Sequence, residues 1–152
     1  MPTPKELPTI GSVDLVVDPI ALQHAYDITF TVTDGSNPVT DAAVIINNAV
    51  VTTNAGGNAV FTKMINGDYN FLVSKAGFID ITGTVTVADA HVAREVSLAA
   101  GFDVTFNVIN GPEGTVGLAN DTITLNGISK ITDATGTVVF GVAFGYCNFI
   151  YE

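Results

Sequence analysis

The chain carries one nine-residue phrase twice, and this constrains its fold more than any other feature. Thr53-Asn54-Ala55-Gly56-Gly57-Asn58-Ala59-Val60-Phe61 returns as Thr132-Asp133-Ala134-Thr135-Gly136-Thr137-Val138-Val139-Phe140. After each copy comes a Gly and an alternating apolar stretch, Gly67-Asp68-Tyr69-Asn70-Phe71 and Gly145-Tyr146-Cys147-Asn148-Phe149. Self-similarity at a fixed spacing means one supersecondary unit built twice. The apolar residues recur with period two and never at helical spacing for three turns, so the unit is made of strands.

The first copy runs from about Tyr26 to Leu98. Its opening strand sets Ile28, Phe30 and Val32 on one face and Asp27, Thr29, Thr31 and Thr33 on the other. Asp34-Gly35-Ser36-Asn37-Pro38 is a turn cluster. Further strands are expected at about 42–47, 49–53, 57–63, 68–74, 79–87 and 92–98. In the last of these Arg94 shares the parity of Val92, Val96 and Leu98, which predicts a bulge or a shifted register. The second copy opens with Phe102, Val104, Phe106 and Val108 inward. Asp27 and Asp103 are 76 residues apart but Thr53 and Thr132 are 79 apart, placing a three-residue insertion in the loop 111–120. Residues matching Lys75–Leu98, about two strands, have no counterpart after Glu152. The expected architecture is all-β: two tandem Ig-like β-sandwich repeats, complete at 26–99 and partial at 100–152, behind an N-terminal arm at 1–25.

Within that arm residues 1–9 hold three prolines and read as extended. In Ser12-Val13-Asp14-Leu15-Val16-Val17, Val13, Leu15 and Val17 alternate with Ser12 and Asp14, which predicts a spare strand outside either repeat. Asp18-Pro19 ends it, and residues 20–25 connect it onward. An arm of this kind takes up order only when something holds it.

The repeat resembles the carboxypeptidase regulatory-like (transthyretin-like) domains and, more loosely, the collagen-adhesin B-type modules. The likeness rests on the Asp-Gly turn, Ala42-Ala43-Val44-Ile45-Ile46-Asn47, the Thr-Asn-Ala-Gly-Gly phrase and Gly67-Asp68-Tyr69-Asn70-Phe71. It covers residues 26–98 well and 102–152 in part. It implies Ig-like sandwiches of the sort found mainly as non-catalytic parts of surface and extracellular proteins. Adhesin modules often carry a Lys–Asn isopeptide cross-link. Here the strands 27–33 and 103–109 contain no Lys and 69–74 contains no acid, so that bond is not expected.

Composition narrows function mostly by exclusion. Hydrophobic residues make up 47% and charged ones 13%, so a packed core is expected rather than disorder. A net charge of −10 with only five Lys plus Arg disfavours binding to phosphate backbones and to anionic membranes. One cysteine, Cys147, rules out an intramolecular disulfide; it matches the inward position Tyr69 and reads as a small buried hydrophobe. His24 and His91 stand alone, the acids are scattered, and no Gly-x-Ser-x-Gly occurs. Asn120-Asp121-Thr122 is the one glycosylation triplet, and the absence of Trp leaves a sugar-stacking platform poorly supported. No catalytic, cofactor-binding or metal-binding residues are predicted, and no enzyme.

The incomplete second copy is the functional clue. A sandwich short of two strands leaves inner faces and strand edges to be covered. The expected acceptor is the face around Val138, Phe140, Phe149 and Tyr151, and the expected donor is Val13, Leu15 and Val17. These residues describe a structural protein that partners copies of itself or other structural proteins, with no nucleic acid and no membrane insertion. No apolar run reaches the roughly 18 residues of a membrane helix. A Met start without signal-peptide blocks points to a virion or phage particle, with an extracellular filament or cell-surface location as the other setting. The rival expectation is a binding module, an adhesin or carbohydrate-binding fragment of a larger secreted protein using loops 34–41 and 111–120.

Overall fold

A computed structural model describes residues 23–110, 116–145 and 148–151. Residues 1–22 of the expected arm, with the strand at 12–17, the tip of the 111–120 loop and Cys147 lie outside the described residues. Among those residues the structure is all-β, with twelve strands and no helix. They are β1 (Tyr26–Thr33), β2 (Ala43–Ile46), β3 (Ala49–Thr52), β4 (Asn58–Met64), β5 (Gly67–Ser74), β6 (Ile81–Val87) and β7 (Val92–Ser97). Then come β8 (Phe102–Asn107), β9 (Thr122–Leu125), β10 (Ile128–Ile131), β11 (Thr137–Val142) and β12 (Phe149–Tyr151).

The first seven strands form two facing sheets, ordered β4-β1-β7 and β3-β2-β5-β6. Alternation explains the core. Ile28, Phe30 and Val32 of β1 are fully buried, opposite Val44, Phe71 and Val73 of the other sheet, while the Thr residues between them face outward. The last five strands repeat the pairings of the first five: β8 with β11 as β1 with β4, and β9 between β10 and β12 as β2 between β3 and β5. Their smaller core holds Ile123, Leu125, Val138, Phe140 and Val142.

The duplicated phrase is a stapled turn leading into β4 and β11. Thr53 Oγ1 donates to the Val39 carbonyl (2.6 Å) and accepts from the Ala42 N–H (2.9 Å); Thr132 does the same with Leu118 (2.6 Å) and Asp121 (3.0 Å). One residue on, Asn54 Oδ1 accepts from the N–H groups of Gly56 and Asn58, as Asp133 Oδ1 does from Thr135 and Thr137. Gly136 must be glycine, with φ of 77° and a backbone so close to the Val108 carbonyl oxygen that a Cβ would clash; Gly57 stands likewise against Val32.

The expected irregularity at Arg94 does not occur. β7 pairs with β1 in unbroken parallel register, from Ile28 opposite Val92 to Thr33 opposite Ser97. Arg94 keeps the inward parity because β7 is an edge strand, so its guanidinium lies over the Phe71 ring (5.6 Å) while the residue stays exposed. The register shift is instead in β1 against β4, between Tyr26 and Ile28.

Candidate functional site

The two strand sets differ most in what flanks their central strands. β1 has β4 on one side and β7 on the other, but its counterpart β8 pairs with β11 alone among the described residues. β5 lies between β2 and β6, whereas β12 pairs, among the described residues, only with β9. Two strand edges on the same side of the smaller core therefore have no partner among the described residues.

An aromatic triad measures the consequence. In the first set the Phe30 ring meets Phe61 edge-on at 6.0 Å and Phe71 at 5.0 Å. The second set repeats this with Phe106 against Phe140 at 5.9 Å and Phe149 at 5.0 Å, the last pair stacked. Phe71 is 3% exposed, screened by Arg94 and by Gly83 of β6, whose missing side chain leaves room for the ring. Phe149 is 52% exposed. Between β8 and β12 opens a cavity of about 310 Å³ lined by Phe106, Val108, Ile109, Ile123 and Phe149. Ile109 in its lining is more than half exposed; elsewhere on this strand set so are Phe102 and Ile150, and Phe144 is almost wholly exposed, touching Phe102 edge-on. Adjoining apolar surface of this kind marks a contact site.

Of the expected acceptor residues, the structure brings Val138, Phe140 and Phe149 into one cluster but does not leave them all open. Val138 and Phe140 are already buried, because β11 pairs with β8 and packs onto β9. Phe149 lines the opening, and Tyr151 continues β12 opposite Ile123. The open part of the surface thus centres on Phe106 and Phe149 and adds Ile109; parity had set Phe106 inward without marking it as part of the acceptor. Val13, Leu15 and Val17 lie outside the described residues.

A second feature joins the two strand sets, and sequence reasoning missed it. The segment between β5 and β6 lies against the start of the second set: Ile79 N–H donates to the Ala99 carbonyl (2.9 Å), Gly101 N–H to that of Gly77 (2.9 Å), and Gly77 N–H to Asp103 Oδ1 (3.0 Å). At its centre Asp80, 5% exposed, pairs with Lys130 of β10 at 2.7 Å. The Asp80 Oδ2 also accepts the Gly141 N–H (2.9 Å), and the Asp80 N–H donates back to the Gly141 carbonyl (2.9 Å). Lys130 Nζ further donates to Val139 O (2.8 Å) and Ser74 Oγ (3.0 Å). Gly141 permits this approach, since a Cβ there would strike the Phe78 carbonyl. Beside the pair lies a cleft of about 440 Å³ lined by Ile45, Leu72, Ser74, Lys130 and Ile131.

His91, Asp133 and Asp34 make local contacts that serve the fold. His91 Nδ1 accepts the Asp27 N–H (2.9 Å), tying β1 to the start of β7, and its ring meets Tyr26 edge-on. Asp133 is held below the ordinary carboxyl range by the Thr135 hydroxyl and by the Thr137 and Thr135 N–H groups; Asp34 is lowered by the Asn37 and Ser36 N–H groups. Among the described residues no three His, Cys, Asp or Glu side chains are grouped to hold a metal ion, and no helix is long and apolar enough to cross a membrane.

No protein-family model matches the chain, and no curated protein matches it. Solved structures resemble it more distantly. The Bacillus anthracis TIE protein aligns over 84% of this chain and 28% of its own, with 15% identity and a TM-score of 0.45. A streptococcal ancillary pilin aligns over 84% of this chain and 53% of its own, with 14% identity and a TM-score of 0.42. A DUF3823 family protein from Parabacteroides merdae covers 86% of this chain and 81% of its own, with 7% identity and a TM-score of 0.42. This chain therefore spans about a quarter to a half of the first two. At such identities and scores the functional reading rests on the chain's own geometry.

Proposed function

We propose that this protein is a non-catalytic structural subunit that associates through the open edges of β8 and β12, as a building block or decoration of an external assembly. In this reading residues 26–99 form a complete sandwich, and residues 100–152 a partial one finished by a neighbour. One observation carries it: Phe149 is 52% exposed where its counterpart Phe71 is 3% exposed, at the edges where two flanking strands of the first set have no equivalent among the described residues. Edge strands beside exposed apolar surface are templates for pairing with another chain. The resemblance of the repeat to regulatory-like modules supports a structural rather than a catalytic role. A virion or an extracellular filament are the settings proposed for it.

Sedimentation of the 152-residue chain over a range of concentrations tests this. Reversible self-association that Phe149→Asp weakens is expected. A monodisperse monomer whose last five strands still unfold cooperatively would refute it. The second reading, a binding module of a larger secreted or surface protein, is favoured by the cleft beside Lys130, and would show as a monomer that keeps that cleft free for a ligand.

A further inference from the structure

The molecule contains its own template for what should cover β8. In the first set β7 lies parallel to β1, with Val92 beside Ile28, Arg94 beside Phe30 and Val96 beside Val32. The repeat maps Ile28, Phe30 and Val32 onto Val104, Phe106 and Val108. The strand to be supplied must therefore run parallel to β8 and carry apolar residues at three alternating positions, with polar residues permitted between them. Twenty-two residues precede the first described one, and a single stretch among them fits: Val13, Leu15 and Val17, separated by Asp14 and Val16.

We propose that residues 12–17 of a second copy form this strand, in the register Val13 beside Val104, Leu15 beside Phe106 and Val17 beside Val108. The inference rests on the assembly reading above and names its donor. Leu15 would then cover the stacked Phe106 and Phe149 rings, as Arg94 covers Phe71. Three residues make a closer fit than Arg94 does, because none must return a charge to solvent. Two features favour a second copy over the chain's own arm. Asp18 to Ala25, eight residues, tie the donor to Tyr26, and Tyr26 is at the end of β1 away from the junction. Thr33, at the other end, accepts the Leu98 N–H (2.7 Å), and from there the chain enters β8.

Cysteine pairing tests donor, register and source together, using outward-facing positions that leave the core intact. With Cys147→Ala as background, Asp14→Cys is placed on one full-length chain and Thr105→Cys on another carrying a different tag. Asp14 and Thr105 are neighbours in the proposed register; Val16→Cys against Thr105→Cys is two residues out of register and exceeds the roughly 7 Å that a disulfide can span. A disulfide-linked heterodimer from the first pair and not from the second is expected, and Leu15→Asp should weaken association at least about ten-fold. A disulfide formed only within single chains carrying both Asp14→Cys and Thr105→Cys would overturn the second-copy source. Association that persists undiminished without residues 1–18, with no cross-link, would overturn the donor while leaving the assembly reading standing. A full-length chain that stays monomeric at all concentrations would overturn both.

Discussion

Replacing Lys130 by Met probes whether the junction between the strand sets is held by a buried charge pair. Lys130 and Asp80 are 2.7 Å apart, with side chains 12% and 1% exposed, so solvent screens their attraction little. Without the ammonium group the Asp80 carboxylate keeps, among the described residues, only the Gly141 N–H on Oδ2, and its Oδ1 already has no hydrogen-bond partner there. Removing one member of a buried pair costs about 3–5 kcal/mol; the slight exposure of Lys130 puts this case near the lower figure, about 3 kcal/mol. Methionine keeps most of the aliphatic stem, so the loss reports the ammonium group's charge, hydrogen bonds and place over the Phe140 ring (5.2 Å) rather than a cavity. Urea unfolding followed by far-UV circular dichroism should show the midpoint falling with the slope unchanged. Adding Asp80→Asn should recover part of the loss, because the amide oxygen can still accept the Gly141 N–H and no charge is left buried. A single-variant cost below about 1 kcal/mol, the range of surface ion pairs, would refute the reasoning.

Three further outcomes follow from the same geometry. Thr53→Val should cost about 2 kcal/mol in equilibrium unfolding, because it strips buried hydrogen bonds from the Val39 carbonyl and the Ala42 N–H at almost unchanged volume. Asp133 has a depressed folded pKa, so its contribution to stability is present above the ordinary carboxyl value and is lost as pH falls through the folded one; thermal unfolding of Asp133→Asn, which copies Asn54, should therefore decline less than the parent as the pH is taken below about 4. With a net charge of −10 per copy, association should strengthen when salt rises from about 0.05 to 0.5 M in sedimentation runs, and a fall would argue that charge pairs rather than apolar edges drive it.

The strands were legible because Ile28, Phe30 and Val32, and the Thr residues between them, state a half-buried sheet in their order alone. The turn was legible because Gly57 and Gly136 sit where a φ above zero is required. Arg94 misled because parity tells which face a residue takes but not that β7 is an edge, where a long side chain can face inward and still reach water. The junction was illegible for a different reason. Asp80 and Lys130 are far apart in sequence and unmatched in the repeat, and their pairing depends on how one strand set lies against the other. Val138 and Phe140 read as an open face for the same cause: periodicity identifies an inner surface but not which part of it β9 already covers.

Hydrogen exchange of the β8 amides as a function of protein concentration tests the central claim most directly. β1 and β8 occupy the same place in the two strand sets, so β1 serves as the internal standard. If β8 is an edge completed by another copy, its amides exchange faster than those of β1 in dilute solution and gain protection as concentration rises, while β1 does not change. Protection of β8 that equals that of β1 at every concentration would contradict the account.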